Sequence, residues 1–282
     1  MYEIIITGAD GFIGSNLTKF FTKKNKKILP IYKEFGDLKN KNIWNNVPAA
    51  KYLIHCAYKI DNKNKNPEKI FHQNIKVLKN AIDYCVTNQC MIIFPSTFLY
   101  GKNKKFSSED SCPSPKDFYS LSKYVCEKMI YFKCKQKKIR SVILRLFNIY
   151  GDSQKKNYMI PRLFDEIIKG DKLNFYNFLR DYLHIDDVNT AFMKSINYKK
   201  KNFDIFNVGS GKSISAKNLA KIIGKITKKN IKFNELKNLD KNAAVNTKAN
   251  INKAKKYLNW EPRVKIEQGL KNYYLSLKWK FN

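Results

Sequence analysis

Hydrophobic residues in the first half of the chain follow two alternating patterns. Short apolar runs of strand length, including YEIIIT, ILPIY, YLIHCA and MIIFPS, are separated by longer stretches in which apolar residues recur every three or four positions. The longer stretches, such as IFHQNIKVLKNAIDYC, have the pattern of amphipathic helices. Strands that alternate with helices indicate right-handed crossovers and a parallel sheet that helices cover on both faces. The first half is therefore predicted to be a doubly wound α/β domain.

The pattern changes after Gly151. Helical periodicity dominates there, in YMIPRLFDEIIKG, SAKNLAKIIGKI and KIEQGLKNYYLSL, with short extended pieces between the helices. No internal repeat or long low-complexity linker interrupts the chain. We therefore predict one domain over residues 1–150 and a smaller α/β lobe over residues 151–282. The boundary is approximate and leaves room for segments to return to the first domain.

Composition places the chain among globular proteins and excludes several other classes. Its 282 residues are 43% hydrophobic and 14% aromatic, which is enough to bury a substantial core. The N-terminal apolar run leads directly into glycines without the features of a signal peptide, and no apolar segment reaches membrane-spanning length. The six cysteines form no CxxC pair, so we expect reduced thiols and no metal site. These features predict a soluble, cytoplasmic protein with no membrane partner.

The formal net charge of +32 first suggests nucleic-acid binding, because lysine-rich surfaces attract phosphate. Lysine is, however, spread over the whole chain, and arginine, which suits bidentate phosphate and base contacts, occurs at only five positions. We therefore expect no specific nucleic-acid partner. The basic surface should still favour polyanionic ligands.

The stretch DFYSLSKYVCEK places a lysine four residues after a tyrosine. Apolar residues recur through this stretch at helical spacing, so Tyr119 and Lys123 should lie on one helix face. A lysine cation at about 5 Å favours a phenolate over a phenol by roughly 3 kcal/mol at an effective dielectric constant of about 20. Such a tyrosine could exchange protons near physiological pH. A solvated helix that has this spacing by chance is the alternative.

Three glycines in TGADGFIG follow the first predicted strand and open the first helix. Gly8, Gly11 and Gly14 would let the backbone turn tightly and approach a pyrophosphate, while the helix N-terminus supplies N–H donors. Phe12 and Ile13 begin that helix. The motif predicts a dinucleotide-binding loop, and a structural turn without a ligand is the alternative.

Several motifs in a fixed order make the chain recognisable: TGADGFIG, IIFPSTFLYG, YSLSK, LRLFNIYG and RDYLHIDDV. This series resembles the extended short-chain dehydrogenase/reductases, the NAD-dependent epimerase/dehydratase family that acts on nucleotide sugars. The resemblance continues through FNVGSGKSIS to NINKAKKYLNWEP and so covers nearly the whole chain. It implies a Rossmann-type NAD(P)-binding domain over residues 1–150, a substrate-binding lobe over residues 151–282, and an active site in the cleft between them.

The resemblance also implies roles for individual residues. Ser96 would hydrogen-bond the reacting oxygen, Tyr119 would be the acid or base, and Lys123 would lower the pKa of Tyr119 and bind the nicotinamide ribose. The candidate cofactor-binding residues are Gly8, Gly11, Phe12, Ile13, Gly14, Lys33, Asp37, Leu38, Ala57, Asn74, Tyr119 and Lys123. The candidate substrate-binding residues are Thr97, Asn148 and Arg180, and His184 belongs to the motif that would position Arg180. A homodimer and a nucleotide-diphosphate sugar as substrate are the expected partners.

Three departures from the family pattern narrow the function. Dehydratases of the family carry an Asp-Glu pair after the catalytic hydroxyl, where this chain has Thr97 and Phe98, so dehydration is disfavoured. The second strand leads to Lys33 where NAD-preferring relatives carry an acidic residue. This favours NADP(H) slightly over NAD(H), although Glu34 could take the ribose role. Relatives also hold the diphosphate with an arginine before the WEP region, where this chain offers Lys241 instead.

Together these features favour an NAD(P)-dependent nucleotide-sugar oxidoreductase, and within that class a 4-keto reductase in the synthesis of a deoxysugar or a surface-polysaccharide precursor. A nucleotide-sugar 4-epimerase with tightly bound NAD is the alternative. A dinucleotide-binding regulatory protein without turnover is a third hypothesis. It would be expected to lack part of the Ser-Tyr-Lys set, and all three residues are present here.

Overall fold

The computed structural model describes residues 2–60, 66–100, 107–176, 178–236 and 246–278. The strands found in these residues are β1 (Tyr2–Thr7), β2 (Ile28–Ile31), β3 (Ala50–His55), β4 (Met91–Thr97), β5 (Ser141–Leu146), β6 (Asn148–Tyr150), β7 (Lys172–Phe175), β8 (Leu179–Arg180), β9 (Tyr182–His184), β10 (Phe203–Val208), β11 (Ile214–Ser215) and β12 (Lys232–Glu235). The α-helices are α1 (Phe12–Lys23), α2 (Pro67–Thr87), α3 (Phe118–Lys135), α4 (Met159–Lys169), α5 (Ile185–Ile196), α6 (Ala216–Thr227), α7 (Asn252–Leu258) and α8 (Ile266–Lys278).

Six strands form one sheet in the order β10-β5-β4-β3-β1-β2. Every pairing from β2 through β1, β3 and β4 to β5 is parallel. The chain runs from β1 outward to β2 and then returns to β3 on the other side, so the strand order reverses between β1 and β3. The carboxyl ends of these two strands meet where Thr7 pairs with His55. Ligands of doubly wound sheets bind at such a reversal.

Burial along the central strands explains why this part of the chain folds as a parallel sheet. All six residues of β5 are buried, and so are the first six residues of β4, because helices cover both faces. Their sequences are correspondingly apolar throughout rather than alternating. Helices α2 and α3 contribute Leu78, Ile82 and Ile130 to the same core. The prediction of a Rossmann-type doubly wound α/β fold is confirmed.

The described chain forms two compact units. The first contains the described residues of 1–100, 112–146 and 191–207, and the second contains those of 101–111, 147–190 and 208–282. In the second unit, α4, α6 and α8 surround a core that includes Leu163, Phe164, Leu219, Ile223 and Leu270. The assignment of the cofactor to one domain and the substrate to the other stays a prediction.

Two further observations concern the whole described chain. None of the helices in the described residues has the length and apolar character needed to cross a membrane. All six cysteines are free thiols, four of them buried, with Cys56 partly buried and Cys112 exposed.

Candidate active site

The glycine loop is shaped by two close backbone approaches. Gly8 has a φ of +68°, and a side-chain carbon placed on it would lie 2.6 Å from the backbone nitrogen of Ala57. A carbon on Gly14 would lie 2.1 Å from the carbonyl oxygen of Gly8, so α1 packs directly on the loop. Gly11 precedes α1, and among the described residues no side chain caps this helix. Its first-turn N–H groups therefore suit the pyrophosphate of a dinucleotide.

The loop is tied to the end of β3 by a small polar group. Thr7 Oγ1 accepts a hydrogen bond from the Ala57 backbone N–H at 3.2 Å and lies 2.9 Å from His55 Nδ1. Burial, followed by the nearby Lys123 charge, lowers the pKa of His55 to about 3, so this histidine is neutral. His55 is a hydrogen-bonded core residue, and Ala57 presents its backbone beside Gly8.

Ser96 lies near the carboxyl end of β4 with only 3% of its surface exposed. Its Oγ has no hydrogen-bond partner among the described residues. A buried hydroxyl without a partner costs about 1–3 kcal/mol, and native proteins rarely leave such a group without a reason. Ser96 therefore suits an oxygen atom supplied by a ligand. Thr97, the candidate substrate residue, follows it and ends the strand, partly exposed.

Helix α3 carries Tyr119 and Lys123 one turn apart, as the sequence pattern predicts. Asp117 and Ser120 form a capping box that fixes the start of this helix. Lys123 is 4% exposed, and its Nζ donates a hydrogen bond to the Pro95 carbonyl at 2.7 Å. This bond joins α3 to β4 one residue before Ser96. Burial lowers the pKa of Lys123 to about 8.

Tyr58, which the sequence analysis did not select, packs against this lysine. The centre of its ring lies 3.6 Å from Lys123 Nζ, and the Phe94 ring lies 4.5 Å from the same atom. The rings of Tyr58 and Tyr119 meet edge to face, with centroids 5.8 Å apart. The one signal available in the sequence was position, because Tyr58 directly follows Ala57 at the end of the third apolar run.

A buried polar network stabilises the strands and helix that carry the candidate catalytic residues. Arg145 on β5 forms a buried ion pair with Glu127, one turn after Lys123 on α3, at 2.7 Å. Arg145 also donates to the Tyr100 hydroxyl at 3.0 Å, and Tyr100 donates to Asn207 at 2.6 Å. The segment after Ser96 is thereby linked to α3, β5 and β10. Arg145 thus has a structural role in this network.

Asn74 on α2 is 4% exposed and holds the backbone of the loop after β3. Its side-chain oxygen accepts from the Lys59 N–H and its side-chain nitrogen donates to the Lys59 carbonyl, both at 2.9 Å. This double hydrogen bond fixes the path of the chain immediately after Tyr58. Asn74 thus shapes the predicted cofactor cleft through the backbone of residue 59.

The residues predicted to bind the adenosine end occupy the segment after β2. The Lys33 backbone N–H donates to Asp10 Oδ2 at 2.6 Å, so an acidic side chain of the glycine loop lies beside Lys33. Asp37 is ion-paired with Lys39 at 2.9 Å, and the hydrogen bond from Lys39 is the main cause that lowers the pKa of Asp37. The Leu38 carbonyl accepts hydrogen bonds from the side chains of Trp44 and Asn80.

In the second unit, Asn148 and Arg180 flank a buried carboxylate. Asp181 accepts four hydrogen bonds, from the Ser210 N–H at 2.6 Å, the Ser210 hydroxyl at 2.7 Å, and the Gly211 and Ala249 N–H groups at 3.0 Å. Burial raises the pKa of Asp181, while these donors act in the opposite direction. The carboxylate therefore joins β8 and β9 to two segments that are distant in sequence.

The Asn148 side chain is engaged in the same network. Its nitrogen donates to the Asp181 carbonyl at 3.0 Å and to Thr247 Oγ1 at 3.2 Å. Binding of a phosphate through this amide would require one of these bonds to break. Arg180 is half-buried, lies 5.4 Å from the Phe178 ring centroid, and has its pKa lowered by burial.

Two other sequence predictions concern this part of the chain. His184 is buried next to α5, where its Nδ1 accepts a hydrogen bond from the Asp186 N–H at 3.3 Å. His184, four residues after Arg180 in the motif, packs edge to face against Tyr150. Lys241, considered as a substitute for the missing arginine, lies outside the described residues.

Comparison with known proteins identifies the family. The model of the NAD dependent epimerase/dehydratase family matches residues 4–209. The dTDP-4-dehydro-6-deoxyglucose reductase of Escherichia coli is 32% identical over 249 residues, covering 83% of this chain and 76% of that protein. The ADP-L-glycero-D-manno-heptose-6-epimerase of Brachyspira hyodysenteriae is 29% identical over 264 residues, covering 80% of this chain and 81% of that protein.

A solved structure of a related fold superposes on nearly the whole chain. The UDP-glucose 4-epimerase of Thermotoga maritima, crystallised with UDP-glucose, superposes with a TM-score of 0.90 at 22% identity and covers 99% of this chain and 100% of its own. The resemblance seen in the sequence motifs is thus confirmed, and with it the prediction of an NAD(P)-dependent enzyme. This chain belongs to the NAD-dependent epimerase/dehydratase family.

Proposed function

We propose that the protein reduces the 4-keto group of a nucleotide-diphosphate sugar. The arrangement at the end of β4 carries this proposal. The buried Ser96 hydroxyl has no partner among the described residues, while Lys123 is bound to the carbonyl of the residue immediately before it. A carbonyl oxygen of the substrate would satisfy Ser96 at the place where a proton donor is needed.

The chemistry follows from three side chains. The bound dinucleotide supplies the hydride that reaches the carbonyl carbon. Ser96 hydrogen-bonds the carbonyl oxygen, and Tyr119 donates the proton that this oxygen takes up as it becomes a hydroxyl. Lys123, one helical turn from Tyr119, stabilises the tyrosinate that remains until Tyr119 is reprotonated.

Two observations favour reduction over other reactions of the family. Phe98 stands at a position where the dehydratase pattern needs an ionisable side chain, and its ring can neither give nor accept a proton. The Escherichia coli relative, 32% identical to this chain, is a reductase of a 4-dehydro sugar nucleotide. In this proposal Arg180 binds the diphosphate of the sugar nucleotide through charge-assisted hydrogen bonds.

A 4-epimerase that retains NAD is the second candidate, and Asp10 is the observation that favours it. Its carboxylate lies beside Lys33 at the end of β2, where an acidic group would suit the ribose 2′-hydroxyl of NAD and repel the 2′-phosphate of NADP. The Lys33 side chain would instead attract the 2′-phosphate of NADP. We propose that the attraction of Lys33 for the 2′-phosphate outweighs the repulsion from Asp10, so that NADP(H) is the preferred dinucleotide.

The test begins with the dinucleotide that stays bound through purification. The protein is denatured, and the released dinucleotide is identified by mass spectrometry. UDP, dTDP, GDP and CDP sugars, together with their 4-keto forms, are then assayed with NADH and NADPH. Turnover of a 4-keto sugar nucleotide with exchangeable NADPH supports the reductase. Retained NAD, with interconversion of two sugar epimers and no added dinucleotide, supports the epimerase.

A further inference from the structure

Tyr58 has three simultaneous contacts with the candidate catalytic helix. The face of its ring lies 3.6 Å from Lys123 Nζ, measured from the ring centroid. The ring also packs edge to face against Tyr119, with an interplanar angle of 88°, and the hydroxyl is hydrogen-bonded to Ser122. Ser122 Oγ also donates to the Tyr119 carbonyl at 2.8 Å, so the Tyr58 hydroxyl is the donor to Ser122. One side chain thus contacts both residues of the Tyr-Lys pair and Ser122, the residue just before the lysine.

The position of Tyr58 is fixed from outside the helix. Its backbone follows β3, and the two hydrogen bonds of Asn74 hold the next residue, Lys59. The ring therefore approaches α3 from a segment that Asn74 anchors separately. Such anchoring is what a residue needs if it is to orient another side chain.

Lys123 needs stabilisation of its charge because it has little contact with water. It is 4% exposed, and among the described residues its one hydrogen bond is to the Pro95 carbonyl. A cation over an aromatic face is stabilised by the ring quadrupole, and more strongly where water is excluded. Burial raises the pKa of Tyr58 well above its ordinary value, so the ring stays a neutral phenol and adds no negative charge.

We propose that Tyr58 is a positioning residue that holds the Lys123 ammonium in place and keeps it charged for contact with the dinucleotide. The proposal rests on the role of Lys123 in the proposed function, and it does not depend on which sugar is the substrate. Other ionisable groups near Lys123 come from β3 and its end, His55 and Cys56, and from α3, Tyr119, Cys126 and Glu127. Of these, Glu127 is already paired with Arg145.

The experiment measures dinucleotide affinity against pH without any sugar. NADH and NADPH are titrated by fluorescence from pH 6 to about 9.5 into the wild type, Tyr58→Leu and Tyr58→Phe. In the wild type, affinity should fall as pH rises through the pKa of Lys123, about 8. Tyr58→Leu removes the aromatic face, so the midpoint should move to lower pH by about half a unit to one and a half units. Tyr58→Phe keeps the face and should keep the midpoint.

Two controls complete the experiment. Tyr124→Leu changes a tyrosine of the same helix whose ring lies 5.2 Å from Lys128, and its midpoint should equal that of the wild type. Lys123→Met should abolish the pH dependence. If Tyr58→Leu fails to fold by circular dichroism, Tyr58→Met, which has a longer flexible side chain, replaces it in the same titration.

The results separate this proposal from the proposed function. An unchanged midpoint in the folded Tyr58→Leu or Tyr58→Met variant overturns it, as does a Lys123→Met variant whose affinity follows pH like the wild type. A shifted midpoint supports it even if the panel of nucleotide sugars shows no turnover. In that case the substrate assignment fails while the role of Tyr58 stands.

Discussion

The candidate catalytic residues and the candidate substrate residues are held in opposite ways. At Ser96 one buried hydroxyl has no partner among the described residues, and the buried Lys123 cation lies against the Tyr58 and Phe94 rings. Around Asp181 every carboxylate oxygen accepts two hydrogen bonds, and Asn148 uses both side-chain N–H groups.

The proposed function accounts for this difference. A group that changes its bonding during a reaction benefits from an environment in which its hydrogen-bonding capacity is not already used. If Arg180 binds a diphosphate as proposed, the segment that carries it benefits from fully used hydrogen bonds, because each satisfied buried bond removes an alternative conformation. Under the proposed function, the two patterns of hydrogen bonding distinguish the reacting groups from the supporting ones.

The largest expected effect comes from removing the transferable proton. Tyr119→Phe should lower turnover at least about 100-fold, because the ring is retained and only the acid is lost. Dinucleotide affinity should stay within a few-fold of the wild type, as measured by fluorescence titration. A variant that retains more than about a tenth of the wild-type rate would remove Tyr119 from the acid role.

The next effect concerns Arg180, the proposed substrate anchor. Arg180→Ala should cost roughly 2–4 kcal/mol in kcat/KM, mainly through KM, because it removes a charge-assisted contact from a half-buried position. Arg180→Lys should recover only part of the loss, since an ammonium cannot bind two oxygens in one plane. Steady-state kinetics on the active sugar nucleotide measure both variants. Arg180→Ala with wild-type kinetics would show that the diphosphate is bound elsewhere.

A smaller effect is expected for the frame that supports Arg180. Asp181→Asn replaces one acceptor oxygen by a donor, so at least one of the facing N–H groups loses its partner, at a cost of about 1–3 kcal/mol. The loss should appear in the free energy of unfolding and in KM, with kcat less affected. Denaturant unfolding and kinetics test it together. A change in kcat alone would contradict a supporting role for Asp181.

The smallest effect is expected at the exposed adenosine end. Lys33→Ala should weaken NADPH binding by about 1 kcal/mol and leave NADH nearly unchanged, as for a partly exposed charge pair. Asp10→Asn is the matched control, because it removes a negative charge where Lys33→Ala removes a positive one. It should strengthen the binding of NADPH relative to that of NADH. Equal losses for both dinucleotides in Lys33→Ala would refute the NADP preference and favour the 4-epimerase.

Local sequence signals predicted the elements and the fold, whereas contacts between distant segments escaped them. The glycine spacing and the helical pattern of DFYSLSKYVCEK each depend on a few neighbouring residues, and the parallel sheet with its flanking helices is confirmed. The strand β10 lies far along the chain but joins the edge of the first sheet next to β5, which no local pattern indicates.

The same limit applies within the candidate site. Tyr58 meets Lys123 across 65 positions of the chain, and Asp181 gathers donors from residues 210, 211 and 249. A single sequence carries no record of such pairings, because they depend on how separate elements pack. The roles given to Ser96, Tyr119, Lys123 and Arg180 stay predictions, now with geometry that makes each of them testable.

The most direct test of the reductase is the fate of the hydride. The protein is incubated with 4-keto sugar nucleotides and with NADPH or NADH that carries deuterium at the transferable position, and the sugar product is analysed by mass spectrometry and NMR. The reductase proposal predicts one deuterium at carbon 4 of the product and one equivalent of oxidised dinucleotide. Interconversion of sugar epimers without deuterium uptake, or no reduction of any 4-keto sugar nucleotide by either dinucleotide, would contradict it.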